Sequence, residues 1–306
     1  MNRFTHTYDD IISVENLLLA WQEFLCNKKH KKDIILFQAK MMDNILSLHH
    51  DLKAKTYIHG GYKALKISDA KPRNIHKATV RDRLLHHAIY RILYSYFDKK
   101  FIYDSYSCRL NKGTHRAINR LRDFYYQVSK NNTRTCYVLK CDIRKFFANI
   151  DHEILKEILG KYIKDKNILW LLGQVIDSFS SQKYIYAIAD MCKMGLPLGN
   201  LTSQLLVNIY MNEFDQFIKH KIKARYYVRY ADDFVVLHEN KKYLEELLIK
   251  IFNFLNEGLK LSLHPNKISI KTYSSGIDFL GWVNFPTHRV LRTTTKRRIF
   301  KKLDSN

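Results

Sequence analysis

Residues 228–239 read VRYADDFVVLHE. Two adjacent aspartates, Asp232 and Asp233, interrupt a run otherwise made of strand formers. Tyr226, Tyr227, Val228 and Tyr230 come before them, and Phe234, Val235, Val236 and Leu237 after. Aspartate is depleted in strands, and neighbouring carboxylates repel each other, so the pair marks the tip of a hydrophobic hairpin. A turn is a normal place for acids, and the pair alone says no more. A third aspartate extends the reading. Asp142 closes TCYVLKCD (135–142), which alternates as a strand, with Val138, Lys140 and Asp142 on one face and Tyr137, Leu139 and Cys141 on the other. If this strand neighbours the hairpin in one sheet, three carboxylates converge, and like charges held that close need a cation. Hard oxygen ligands with room for water suit Mg²⁺. Two such ions about 3.5–4 Å apart can activate a hydroxyl and stabilise a departing pyrophosphate.

The rest of the chain places this feature in an α+β frame. Helical spacing of apolar residues runs through ISVENLLLAWQEFL and DIILFQAKMMDNILSLHHDLK in the first 55 residues. HGGY (59–62) breaks it, and short extended segments follow in YKALKISDAKPRNIHKA. RDRLLHHAIYRILYSYFDKKF and RAINRLRDFYYQVSK return to helix. After 135 come the Asp142 strand, a helix capped by Asp151, a helix in KNILWLLGQVIDSF and a long apolar helix opened by Thr202. The aspartate hairpin, one more helix and the short strands LKLSL, KISIK and IDFLGWV complete the order: helices backing an antiparallel sheet.

The 306-residue chain carries 52 Lys+Arg against 29 Asp+Glu, a formal net charge of +23. That excess points to a polyanionic partner, nucleic acid before anionic membrane; a merely lysine-rich protein from an AT-rich genome is the plain alternative. The basic, tyrosine-bearing stretches RDRLLHHAIYR and KARYYVRY are candidates to line a nucleic-acid groove. No run approaches the roughly 20 apolar residues of a membrane span, and the N-terminal segment carries acids and lacks a signal peptide's apolar core. A cytoplasmic protein without a membrane is the expectation. The five cysteines show no paired metal-ligand spacing and read as reduced core thiols. His86 and His87 read as a helix face before a zinc site.

YADDF (230–234), CDIRKFFANI (141–150), GLPLGNLTSQ (195–204), FLGW (279–282) and KPRNI (71–75) occur in the order and with the gaps of the reverse transcriptases, and over residues 60–285 the chain resembles that family. Leu198-Gly199 and Ser203-Gln204 stand where the family usually has Gln-Gly and Ser-Pro. With KGTH (112–115) and FPTHRVLR (285–292), this variant is most similar to the reverse transcriptases of diversity-generating retroelements; a phage-defence or retron-like reverse transcriptase with a dedicated non-coding RNA, whose family shares parts of the variant, is the alternative. A maturase-like RNA-binding scaffold is the alternative from another class.

The resemblance implies a right-hand polymerase fold of fingers and palm with a truncated or minimal thumb. Its parts would be an N-terminal helical extension (1–58), fingers (59–135), palm (136–285, with a fingers insertion about 160–200) and the start of a basic thumb segment (286–306). It implies Asp142, Asp232 and Asp233 as catalytic metal ligands with the carbonyl of Ile143, holding two Mg²⁺ (or Mn²⁺). Arg73 and Lys66 would meet the triphosphate. Phe147 would gate against a 2′-hydroxyl, Leu198 and Gly199 would lie at the nucleotide, and Leu280 and Gly281 would form the primer grip. The implied partners are template RNA, primer and cDNA, dNTPs and a small basic accessory protein. An apolar Leu198 cannot make the polar contacts of the usual glutamine, and a site that loses such contacts discriminates less. Error-prone copying is the expectation.

Overall fold

The computed structural model describes residues 3–67, 73–181 and 193–303. In chain order it has helices α1 (Tyr8–Ile12), α2 (Val14–Leu25), α3 (Lys32–Gln38) and α4 (Met41–Lys53), strands β1 (Lys63–Ile67) and β2 (Arg73–Lys77), and helices α5 (Val80–Phe97) and α6 (Thr114–Val128). Strand β3 (Tyr137–Asp142) precedes α7 (His152–Tyr162), α8 (Lys166–Asp177) and α9 (Leu201–Gln216). The hairpin β4 (Tyr227–Tyr230) and β5 (Asp233–His238) comes next, then α10 (Lys241–Asn253) and β6 (Ser269–Thr272). Strands β7 (Ile277–Phe279), β8 (Trp282–Asn284) and β9 (Arg289–Leu291) lead to α11 (Thr293–Leu303).

These elements fall into two compact units, residues 1–100 with 147–210, and residues 101–146 with 211–306. In the first, α2 packs on α5 and buries Leu17, Ala20, Trp21, Leu84, Leu85 and Ala88. Helices α1, α2, α5, α7 and α8 start at side chains that satisfy free N–H groups, whereas α3 and α4 have no such cap. Thr7 and Asp10 form a reciprocal capping box on α1, and Asp151 caps α7 by accepting from Glu153 and Ile154. Asp165 caps α8 and also accepts the Tyr8 N–H at 3.0 Å. Strands β1 and β2 form an antiparallel hairpin.

The second unit is built on a four-stranded antiparallel sheet of order β4-β5-β3-β6. Val138, Val228, Val235 and Leu237 pack with Ala117, Leu121, Phe124 and Val128 of α6 in one core cluster. Leu139, Cys141, Tyr227, Phe234 and Val236 alternate with them and are equally buried; the Phe214 ring lies 5.1 Å from that of Phe234. A second, three-stranded sheet, β7-β8-β9, precedes α11.

Local order departs from the sequence reading in several places. The spacing predicts one helix over 33–53, but the chain breaks at Ala39-Lys40 because Lys40 leaves the helical region at φ −126°. LKLSL (259–263) is not a strand; Leu263 makes only a single bridge to Ile143. Cys136 and Cys141 are core thiols, but Cys26 and Cys108 are exposed, one ending α2 and the other in a loop at positive φ. Cys192 lies outside the described residues. The two basic stretches are also less available than their charge implies. Arg81, Arg83 and Arg91 pair with Asp51, Asp33 and Glu23, while Tyr227 and Arg229 are fully buried.

Candidate active site

Strand pairing brings the aspartates together. β3 and β5 run antiparallel with Asp142 directly opposite Asp233, so their side chains leave the sheet on the same face. The β4–β5 hairpin closes at Tyr230 opposite Asp233, leaving Ala231 and Asp232 as a two-residue turn. The N–H of Ile143, the residue after β3, donates to the Asp232 carbonyl at 3.1 Å and ties the turn to the β3 end. Ile143 itself is buried.

The electrostatics there favour a cation. The Asp233 carboxyl is pushed up to about 7, first by burial and then by the charges of Asp142, Asp232 and Asp278, against the opposing pull of Lys140. The Lys140 ammonium is 3.8 Å from Asp233 Oδ2 and donates to the Asp278 backbone carbonyl. Asp233 Oδ1 is buried and has no hydrogen-bond partner. An orphaned carboxylate oxygen among like charges, all hard donors, fits a divalent ion such as Mg²⁺. Among the described residues, no three His, Cys, Asp or Glu side chains are already gathered as a metal cage.

A residue the sequence reading passed over already occupies one of the three carboxylates. Lys267 Nζ donates to both oxygens of Asp142, each at 2.8 Å. The 3₁₀ turn Pro265–Lys267 presents this ammonium. The segment before it is stapled to the β3 end, with the His264 N–H on the Asp142 carbonyl at 2.7 Å and the Arg144 N–H on that of Ser262 at 2.9 Å. Replacing Lys267 with methionine removes a charge that competes for Asp142. Because the Lys267 side chain is 37% exposed and its charge so partly screened, the expected gain in Mn²⁺ affinity is about three- to tenfold, read by electron paramagnetic resonance. Equal affinities would mean that Lys267 does not compete.

The nucleotide candidates lie in the first unit. Lys66 is exposed on β1 opposite Asn74. The Arg73 backbone opens β2; its side chain, and positions 71–72 of the KPRNI motif, lie outside the described residues. The GLPLGN loop is held against β2, with the His76 N–H on the Leu198 carbonyl at 3.0 Å and the Asn200 side-chain amide on the His76 carbonyl at 2.9 Å. Gly199 sits at φ +99°, and an added Cβ would lie 2.5 Å from Ile75 Cγ2. Both the backbone angle and the close approach demand glycine. The same loop reaches Phe147, whose carbonyl accepts the Leu196 N–H at 2.8 Å. Phe147 is half-buried and Phe146 is core. Leu280 and Gly281, both at positive φ, form the two-residue turn between β7 and β8. The Gly281 carbonyl accepts the Arg292 N–H at 3.0 Å, and Arg292 in turn pairs with Asp278.

A helix-backed antiparallel sheet with acids at adjacent strand ends is the palm of a right-hand polymerase, here in an α+β chain with a fingers hairpin. The chain belongs to the family described as reverse transcriptase (RNA-dependent DNA polymerase), whose model matches residues 65–283. It is 26% identical over 261 residues to protein YkfC of Escherichia coli K12, covering 75% of this chain and 66% of that protein. It is 24% identical over 257 residues to the group II intron-encoded protein LtrA of Lactococcus lactis subsp. cremoris, covering 81% of this chain and 41% of LtrA. The chain thus spans less than two thirds of these relatives' length. The structure of apo telomerase from Candida tropicalis truncated from its C-terminal domain shares the fold, with a TM-score of 0.54 at 13% identity over 82% of this chain and 60% of that one. Among the described residues, no helix is long and apolar enough to cross a membrane.

Proposed function

We propose that the chain is an RNA-directed DNA polymerase that extends a primer on template RNA to make cDNA from dNTPs. The observation that carries this reading is the Asp142–Asp233 pairing beside the Asp232 turn. The three carboxylates, with the Ile143 carbonyl, would hold two Mg²⁺ (or Mn²⁺). When bound, these ions supply activation of the primer 3′-hydroxyl and stabilisation of the leaving pyrophosphate. Arg73 and Lys66 take the triphosphate as cationic partners, Phe147 excludes a 2′-hydroxyl, and the Leu280-Gly281 turn grips the primer. The extension, fingers, palm and thumb-start boundaries drawn from sequence are part of this reading.

The biological setting in this reading is a diversity-generating retroelement, with a small basic accessory protein as partner, and the apolar Leu198 supports it. Restoring the polar side chain in Leu198→Gln is expected to lower misincorporation about tenfold, counted by sequencing the cDNA. An unchanged error spectrum removes this argument for the type. The polymerase reading itself is tested by extension of a primed RNA template in Mg²⁺ by the parent chain and by Asp232→Ala. A parent that incorporates nothing favours an RNA-binding scaffold, a role compatible with the likeness to a group II intron-encoded protein.

A further inference from the structure

We propose that Arg229 is a positioning residue that aims Asp232 by pinning the peptide before it. The inference rests on the polymerase reading of the three aspartates. Arg229 lies on β4 opposite Phe234, on the sheet face away from Asp142 and Asp233, and its side chain is fully buried. Its Nε donates to Asp215 Oδ1 at 2.7 Å and its Nη2 to Asp215 Oδ2 at 2.6 Å. Nη2 also donates to Ser105 Oγ at 3.1 Å. Asp215 is equally buried and accepts the Tyr227 hydroxyl at 2.7 Å. Arg229's own backbone is clamped by the 104–106 segment, its N–H on the Asp104 carbonyl and its carbonyl under the Tyr106 N–H, both at 3.0 Å.

A buried ion pair of this kind is weak evidence for stability, because apolar side chains of similar volume often serve as well. What an apolar pair cannot supply is the remaining donor. Arg229 Nη1 reaches the Ala231 carbonyl at 3.1 Å. Ala231 stands at φ +54°, the left-handed region that a residue with a Cβ enters at a cost. The Ala231 carbonyl belongs to the peptide entering Asp232, and the Asp232 carbonyl, held by Ile143 N–H at 3.1 Å, belongs to the peptide leaving it. Both planes flanking the Asp232 Cα are therefore fixed, and with them the direction in which its carboxylate leaves the turn.

The test uses the full chain on poly(rA)/oligo(dT) with dTTP and Mg²⁺. Arg229→Lys keeps a charge on Asp215, but one ammonium cannot span Asp215 and the Ala231 carbonyl. The expected result is a kcat lower by about 10- to 100-fold with a KM for dTTP within about twofold. Adding Ala231→Gly, which adopts the left-handed turn unaided, recovers most of that loss. Arg229→Met with Asp215→Leu removes both charges without stranding either, so it folds yet shows the same kcat loss; circular dichroism melts of each variant establish the fold. An Arg229→Lys kcat within twofold of the parent, or a loss that glycine does not recover, overturns the positioning role. A parent that fails to extend the primer overturns the polymerase reading instead.

Discussion

Asp232→Ala is expected to lower primer extension by about 10³-fold or more while the chain remains folded. Asp232 occupies the turn between β4 and β5, so its side chain is not part of the sheet core. Its removal takes away one of the charges that push the neighbouring Asp233 carboxyl upward, so the palm sheet loses repulsion, not support. In the polymerase reading proposed above, what is lost is the third oxygen donor set that would hold a divalent pair to stabilise charge in the transition state. Incorporation of labelled dNTP on a primed RNA template, with a thermal melt of the same preparation, checks both halves. Residual activity within tenfold of the parent, in a folded variant, would remove Asp232 from the metal site.

The second large effect concerns stability. Asp215→Ala leaves the Arg229 guanidinium buried without its carboxylate, and both side chains are 0% exposed. Breaking such a pair from one side costs about 3–5 kcal/mol, readable as a lowered denaturant midpoint. The Tyr227 hydroxyl, held well above its usual range by burial and by Asp215, loses its acceptor at the same time. The Arg229→Met, Asp215→Leu double variant should regain most of that loss. A drop below about 1 kcal/mol for Asp215→Ala would mean that water reaches the pair and screens it.

Much of the architecture can be read from local pattern. The alternation in 137–142, the Asp151 cap and the polar tip of the 227–238 hairpin are consequences of backbone period and capping chemistry, and they appear in place. The facing of Asp142 and Asp233 is a matter of register between distant segments, which the sequence can only pose as a condition. Lys267 carries no signal, since one lysine among 52 basic residues is indistinguishable until the chain folds it onto Asp142. Arg229 misleads for the opposite reason. A strand arginine beside tyrosines looks like a phosphate contact, and only the arrival of Asp215 at the end of α9 makes its burial tolerable. LKLSL alternates like a strand but finds a single bridging partner, and alternation without a ladder is not a strand.

The ammonium resting on Asp142 has a bearing on how the protein matures. Zinc-finger domains have no stable apo form, because the free energy of binding the ion is what folds them. Here a tethered cation from the chain itself meets the β3 carboxylate at 2.8 Å, so the acidic end of the sheet can assemble in ion-poor surroundings. In the two-metal reading proposed above, folding and metallation are then separate events, and a chelator should silence this protein without unravelling it.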